Sequence, residues 1–138
     1  MNALTLAPHL KQRLDHLTDV MAVYLFGSRA TGREHPLADY DYGILTCSTG
    51  HRKGDEFYFE LYDLLSDISP RSFQNDVIDI AFVRDVGLEL RAHIVRYGKL
   101  LYDRNPEARL EFESQTTLLY CDYRPILLEM DQAILEAL

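Results

Sequence analysis

The order of hydrophobic and polar residues along the chain predicts helices interleaved with short strands. Leucines recur at three- and four-residue steps over about residues 6–18, the spacing of an amphipathic helix. The apolar run over residues 20–26 is rich in β-forming residues and predicts a buried strand that ends at Gly27. Residues 39–46 alternate between polar and apolar side chains, which predicts a second strand.

The rest of the pattern completes a small α+β fold with α/β-like features. Its predicted elements are a helix over about 54–67, a strand over 77–83, a helix capped by Asp85 with Gly98 as its C-cap, an extended segment at 100–102, and a last helix over about 106–137 that contains Pro125. We therefore predict a small mixed sheet flanked by helices. At 138 residues the chain has the size of one domain, spanning 1–138 with a core over about 20–103.

Charge and composition exclude several classes of protein. The net charge of -8 and the absence of a Lys/Arg-rich run argue against direct nucleic-acid binding. No apolar run approaches the length of a membrane span or a signal peptide, so we expect a cytoplasmic protein with no membrane contact. Cys47 and Cys121 lack metal-ligand spacing and are predicted to be buried thiols in a reducing compartment.

Candidate chemistry gathers around the first two strands. Gly27 permits a tight turn after the buried strand, and Ser28 then offers a hydroxyl and backbone amides for a phosphate. Asp39 and Asp41 are two residues apart on a strand and share one face. Asp79 is a third carboxylate, on an apolar strand where its charge needs a partner. Oxygen ligands of this kind suit Mg²⁺ or Mn²⁺.

Each part also has a purely structural interpretation. Gly-Ser is commonly a simple turn, two alternating aspartates are common on exposed strands, and Asp79 would face solvent on an edge strand. Arg29 and Arg33 are favoured over Arg52 and Lys53 for contacts to a triphosphate, because they are nearer to Gly27 in sequence. The histidines have no ligand spacing and are predicted mainly at the surface: His9, His16, His35, His51 and His93.

Taken together, these residues resemble the signature of the nucleotidyltransferase superfamily with a polymerase beta-like fold. Gly27-Ser28 is followed by ten residues and then Asp39-x-Asp41, and the segment 77–80 matches the third acidic strand. The resemblance covers about residues 20–103. In length and arrangement the chain is similar to the minimal nucleotidyltransferase (MNT) antitoxins that are encoded beside HEPN-domain toxins.

The resemblance implies a role for each matching residue. Gly27 and Ser28 would bind the phosphates of ATP, with Arg29 and Arg33 as candidate contacts. The three carboxylates Asp39, Asp41 and Asp79 would be the catalytic residues and would hold Mg²⁺, with two ions expected, and Asp79 would also help to activate the attacking hydroxyl. Ala38 stands where many relatives have Ser; that Ser is not a metal ligand.

The resemblance also implies an activity. It is the transfer of AMP from ATP to a tyrosine of a cognate HEPN toxin, an RNase that the modification would silence. Two alternatives are an antitoxin that neutralises by binding alone and a nucleotidyltransferase acting on a small molecule. The short chain argues against the second alternative, because it leaves little room for a substrate domain.

The last predicted helix carries more apolar residues than one face on a small domain needs. Core packing and a docking surface for the toxin both account for this excess.

Overall fold

The computed structural model describes residues 8–27, 40–69 and 78–137. The elements in these ranges are α1 (Pro8–His16), β1 (Val20–Phe26), β2 (Tyr40–Thr46), α2 (Glu56–Ile68), β3 (Ile78–Phe82), α3 (Leu88–Tyr97), β4 (Lys99–Asp103) and α4 (Pro106–Ala137). The predicted element order is confirmed. The predicted helical turn over 29–32 and the loop over 33–38 lie outside the described residues.

The four described strands form one mixed sheet in the order β3-β2-β1-β4. β1 pairs antiparallel with both β2 and β4, whereas β2 and β3 are parallel and are joined through α2. A parallel pair needs such a crossover, because a hairpin can join only antiparallel strands. The prediction of a small mixed sheet flanked by helices is therefore confirmed.

Both faces of the sheet are covered. On one face Leu14 of α1 and Leu61 and Leu65 of α2 join the main apolar cluster, which also contains Tyr42. On the other face Ile94 of α3 and Phe112 of α4 pack over the second cluster. All seven residues of β1 are buried, because this strand is central and is covered from both sides. This explains why its sequence is a continuous apolar run.

The caps of α2 and α3 differ from each other. The carboxylate of Asp55 accepts a 2.7 Å hydrogen bond from the Tyr58 amide at the start of α2. The prediction that Asp85 caps α3 was wrong. Gly87 is the N-cap residue, without a side-chain bond, and Asp85 instead accepts a 3.2 Å bond from the amide of Gly50. Because α3 begins only at Leu88, Asp85 lies two residues before the N-cap position and is too early in the chain to cap the helix.

A polar cluster attaches the start of α4 to the sheet. The Arg109 guanidinium donates to Asp103 at 2.8 Å and to Glu113 at 2.9 Å, and the Tyr24 hydroxyl donates to Glu113 at 2.6 Å. Burial, together with the bond to Glu113, raises the pKa of the Tyr24 phenol, which therefore stays a donor. These contacts join β1, β4 and α4.

Only the first turns of α4 are part of the core. Phe112 and Thr116 are its buried residues, and in the described chain beyond Thr116 no side chain of this helix is buried. Core packing therefore does not explain the apolar residues of the distal half, and the docking surface stays a prediction. The exposed large apolar side chains of that half are Leu118, Leu119, Tyr123, Ile126, Leu128, Met130, Ile134 and Leu135.

Two further expectations concern thiols and membranes. The prediction that Cys47 and Cys121 are buried was wrong, since both are exposed free thiols. Cys47 lies just beyond the end of β2, and Cys121 lies on the exposed half of α4, so neither thiol is covered by a packed element. Within the described ranges, no helix is both long and apolar enough to cross a bilayer.

Candidate functional site

Three residues of the sequence motif meet at one end of the sheet. Gly27 directly follows β1, Asp41 is the second residue of β2, and Asp79 is the second residue of β3. The register pairs Phe26 with Asp41, and Asp41 with Asp79. The end of β1 and the starts of β2 and β3 therefore adjoin, because β1 runs antiparallel to the other two strands.

Gly27 makes room for the carboxylate of Asp41. Its φ of 78° lies in the left-handed region, which a side chain disfavours. A Cβ atom built on Gly27 would overlap Oδ2 of Asp41 and would lie 3.3 Å from its Cγ. The group that approaches the Gly27 backbone is therefore the Asp41 side chain. Any other residue here would displace that carboxylate.

Asp41 and Asp79 form a pair of adjacent carboxylates. They are opposite each other on parallel strands, so their side chains project from the same face at a strand spacing of about 4.8 Å. Alternation places Asp41 opposite to Tyr40 and Tyr42, whose rings belong to the main apolar cluster. Such a pair of oxygen donors has the chemistry and the spacing to share a divalent cation.

Asp79 is more accessible than its apolar neighbours in sequence indicate. It lies on the edge strand β3, and 52% of its side chain is exposed. Its Oδ1 accepts a 3.1 Å hydrogen bond from the ammonium of Lys53, forming an ion pair. The sequence argument placed Lys53 behind Arg29 and Arg33. The two partners are 26 residues apart, and no motif spacing connects them.

The segment before α2 is attached to the start of β1. His51 forms an ion pair with Asp19, and the Ser48 hydroxyl donates to the same carboxylate at 2.6 Å. Partial burial would raise the pKa of Asp19, but the bonds from Ser48 and His51 and the charge of His51 hold that pKa below its usual value. His51 is an exception to the surface roles predicted for most of the histidines, because its ring also packs on Phe57 with centroids 4.4 Å apart.

The remaining candidates of the motif cannot be placed. Ser28, Arg29, Arg33 and Asp39 lie outside the described residues. Among the residues that the structure describes, no group of three or more His, Cys, Asp or Glu side chains forms a metal site. Asp41 and Asp79 are the two described members of the predicted set of three. Their donor chemistry fits Mg²⁺, and the third ligand stays a prediction.

A groove elsewhere in the molecule is separate from the candidate site residues at the sheet end. It has a volume of about 990 Å³ and lies between α3 and α4, with Tyr97, Leu110 and Leu118 among its lining residues. None of Gly27, Asp41 and Asp79 lines it. We therefore place the candidate site at the sheet end, where the chemistry of the side chains converges.

Comparison with known proteins gives a family and a fold. The family model described as "Polymerase beta, Nucleotidyltransferase" matches residues 9–107. Among curated proteins no match was found. A chain of a toxin–antitoxin structure with AMP-PNP is 22% identical, with a TM-score of 0.61, and the match covers 92% of this chain and 96% of that one.

Two further solved structures share the fold. A chain from the tri-AMPylated *Shewanella oneidensis* HEPN toxin in complex with MNT antitoxin is 20% identical, with a TM-score of 0.57, over 94% of this chain and 95% of that one. A chain of the MntA–HepT toxin–antitoxin is 19% identical, also with a TM-score of 0.57, over 95% and 97% of the two chains. These structural matches establish a common fold, and identities this low carry no more than that.

Proposed function

The chain belongs to the Polymerase beta, Nucleotidyltransferase family, and on this premise we propose that it transfers AMP from ATP to a tyrosine of a cognate HEPN toxin. The transfer would neutralise the toxin, so the protein would act as an antitoxin. The family supports nucleotidyl transfer, and a fold relative solved in complex with a tri-AMPylated HEPN toxin suggests both AMP as the transferred group and the toxin as its acceptor.

The observation that carries the proposal is the pairing of Asp41 with Asp79 beside Gly27. Three distant segments of the chain place two carboxylates side by side at the end of the sheet. Two adjacent carboxylates repel each other, and a cation bound between them offsets that repulsion. Carboxylates gathered in this way are typical of sites for metal-dependent phosphoryl transfer.

The residues have distinct roles in the proposed reaction. Asp41 and Asp79, with Asp39 as the expected third ligand, would hold Mg²⁺, which when bound neutralises phosphate charge and favours ionisation of the acceptor hydroxyl. Gly27 keeps the Asp41 carboxylate in place, and Ser28 with Arg29 and Arg33 would orient the triphosphate.

The bonds exchanged in this reaction are balanced as follows. The tyrosine hydroxyl oxygen bonds to the α-phosphorus of ATP, the bond between that phosphorus and the bridging oxygen of the β-phosphate breaks, and pyrophosphate leaves. The hydroxyl proton passes to a carboxylate, for which the half-exposed Asp79 is the accessible candidate, and then to solvent.

Mass spectrometry of the HEPN toxin, after incubation with this protein, ATP and Mg²⁺, tests the proposal. We expect a mass gain of one or more AMP units on a tyrosine. Asp41→Asn and Asp79→Asn should each reduce the rate at least about 100-fold, because each removes one carboxylate from a site that depends on charge neutralisation. Asp63→Asn is the matched control, since Asp63 is an exposed carboxylate on α2.

Two results would contradict the proposal. An unmodified toxin that is still bound and silenced would favour neutralisation by binding alone. AMP transfer to an added small molecule, such as an aminoglycoside, with no transfer to the toxin would favour the small-molecule alternative. A rate for Asp63→Asn as low as that of Asp41→Asn would show that the variants report general damage to the protein.

A further inference from the structure

The segment between β2 and α2, residues 47–55, is held at several points. We call it the β2–α2 loop. Ser48 and His51 both bond to Asp19, at the start of the sheet. The Gly50 amide donates a 3.2 Å hydrogen bond to Asp85, which follows β3 in the chain. These contacts fix the loop to the turn before β1 and to the turn before α3.

Aromatic packing further restricts the same loop. The His51 ring packs against both Phe57 of α2 and Phe82 of β3, with centroid distances of 4.4 Å and 5.3 Å, and the two phenyl rings also contact each other at 6.1 Å. The end of the loop is also closed, because Asp55 accepts a 2.7 Å bond from the Tyr58 amide and a 3.2 Å bond from the Arg52 amide. The backbone on both sides of Lys53 is therefore anchored.

The side chain that this loop delivers to the candidate site is Lys53. Its ammonium lies 3.1 Å from Oδ1 of Asp79, and Asp79 is in register with Asp41. Lys53 is 67% exposed, so its four-carbon stem is free to turn toward another anion. The adjacent carboxylates create a negative field, in which a nearby ammonium is attracted to the position where a cation would bind.

We propose that Lys53 is a positioning residue, whose ammonium is an internal counter-ion of Asp79 and competes with the divalent cation for that carboxylate. The inference rests on the proposed function, because it assumes that Asp41 and Asp79 hold the cation. Binding of the bare cation must displace Lys53 into water. Binding together with a triphosphate gives Lys53 a new anionic partner, so the loss of its bond to Asp79 is compensated.

Because Lys53 moves from Asp79 to the triphosphate, binding of the divalent cation and binding of the nucleotide are coupled. The nucleotide favours metal binding because it takes over Lys53, and by linkage the metal favours nucleotide binding by the same factor. The site would thus bind the cation preferentially when ATP is present. An exposed ion pair has a small free energy, so we expect the coupling to change affinities by about two- to fivefold.

Binding of Mn²⁺, measured by electron paramagnetic resonance with and without the non-hydrolysable analogue AMP-PNP, tests the inference independently of activity. Lys53→Met should lower the Kd of Mn²⁺ alone by about two- to fivefold and should reduce the enhancement by AMP-PNP by a similar factor. Lys53→Arg keeps the positive charge, so its Kd for Mn²⁺ and its enhancement by AMP-PNP should be close to those of the original protein. Arg52→Met is the matched control, because it removes one positive charge from the adjacent, exposed position of the same loop.

The outcomes separate this inference from the proposed function. If Lys53→Met and Arg52→Met change the Kd of Mn²⁺ equally, net charge explains the effect and the role of Lys53 is refuted. If Mn²⁺ binds but its Kd does not respond to Lys53, the inference fails while the proposed metal site stands. If the original protein does not bind Mn²⁺ with or without AMP-PNP, the proposed function and the inference are both overturned.

Discussion

At the scale of single residues, the candidate site includes a position, Gly27, where a side chain would not fit. Gly27 combines a left-handed backbone conformation with direct contact to the Asp41 carboxylate. The first property restricts the residue type, and the second removes the space that a methyl group would need. Asp19 shows a different dependence, because two neighbours donate to one carboxylate and stabilise its charged form.

Gly27→Ala is expected to reduce the free energy of unfolding by about 2–4 kcal/mol, from backbone strain together with overlap with Asp41. It should also weaken Mn²⁺ binding, since the carboxylate must move. Gly50→Ala is the matched control, because Gly50 has a φ of 90° and open space where its Cβ would lie. Urea denaturation of the control should show only the strain, about 1–2 kcal/mol, with Mn²⁺ binding intact. Equal losses in the two variants would disprove the importance of the Asp41 contact.

The lowered pKa of Asp19 predicts a pH dependence of stability. A carboxyl group whose pKa is lower in the folded state stabilises the protein above its unfolded value, here 3.8, and loses this effect as the pH falls through the folded pKa. Asp19→Asn should therefore lower the urea midpoint at about pH 6, and the difference from the original protein should shrink toward about pH 3. A difference that stays constant over this range would show that the Asp19 charge is not responsible.

At the scale of elements, α4 consists of two parts with different environments. Its first turns carry Arg109, Phe112 and Glu113, which bond to or pack on the sheet and α3. Its distal half extends the helix with largely exposed apolar side chains. The helix has 32 residues and is continuous through Pro125, with a length of roughly 48 Å at about 1.5 Å per residue.

Truncation after Thr117 is therefore expected to leave the fold intact. The melting temperature should fall by less than about 4 °C, because the deleted part contributes no buried side chain. Truncation after Asn105 is the comparison, since it also removes Arg109, Phe112 and Thr116. The shorter chain should not fold, so its cooperative unfolding transition should be absent. Loss of folding after the first truncation would show that the distal half belongs to the core. Binding of the HEPN toxin to the shortened chain tests the predicted docking surface.

At the scale of the whole molecule, topology assembles the site. β2 lies between β1 and β3, antiparallel to the first and parallel to the second. This arrangement brings Gly27, Asp41 and Asp79 together, although the chain between them includes the β2–α2 loop and α2. The loop and the helix between β2 and β3 also allow a group such as Lys53 to approach from outside the motif.

Local sequence was sufficient for much of the fold, because helix and strand periodicities are properties of neighbouring residues. The buried strand predicted from the apolar run of β1, the strand predicted over residues 39–46 and the Gly98 cap of α3 are all confirmed. The errors have a common origin. Asp85 and the two cysteines were assigned from their neighbours in sequence, whereas the position of the helix start and the absence of a covering element determine their environments.

The sequence by itself determined the element order, the mixed α+β class and membership of the Polymerase beta, Nucleotidyltransferase family, whose signature the motif of Gly27, Asp41 and Asp79 resembles. Only the tertiary structure decided that Asp41 lies in register with Asp79, that Gly27 contacts a carboxylate, and that Lys53 reaches Asp79. The physical reason is range. Propensity and periodicity act over a few residues, whereas register and ion pairing depend on how strands and loops that are distant in sequence pack together.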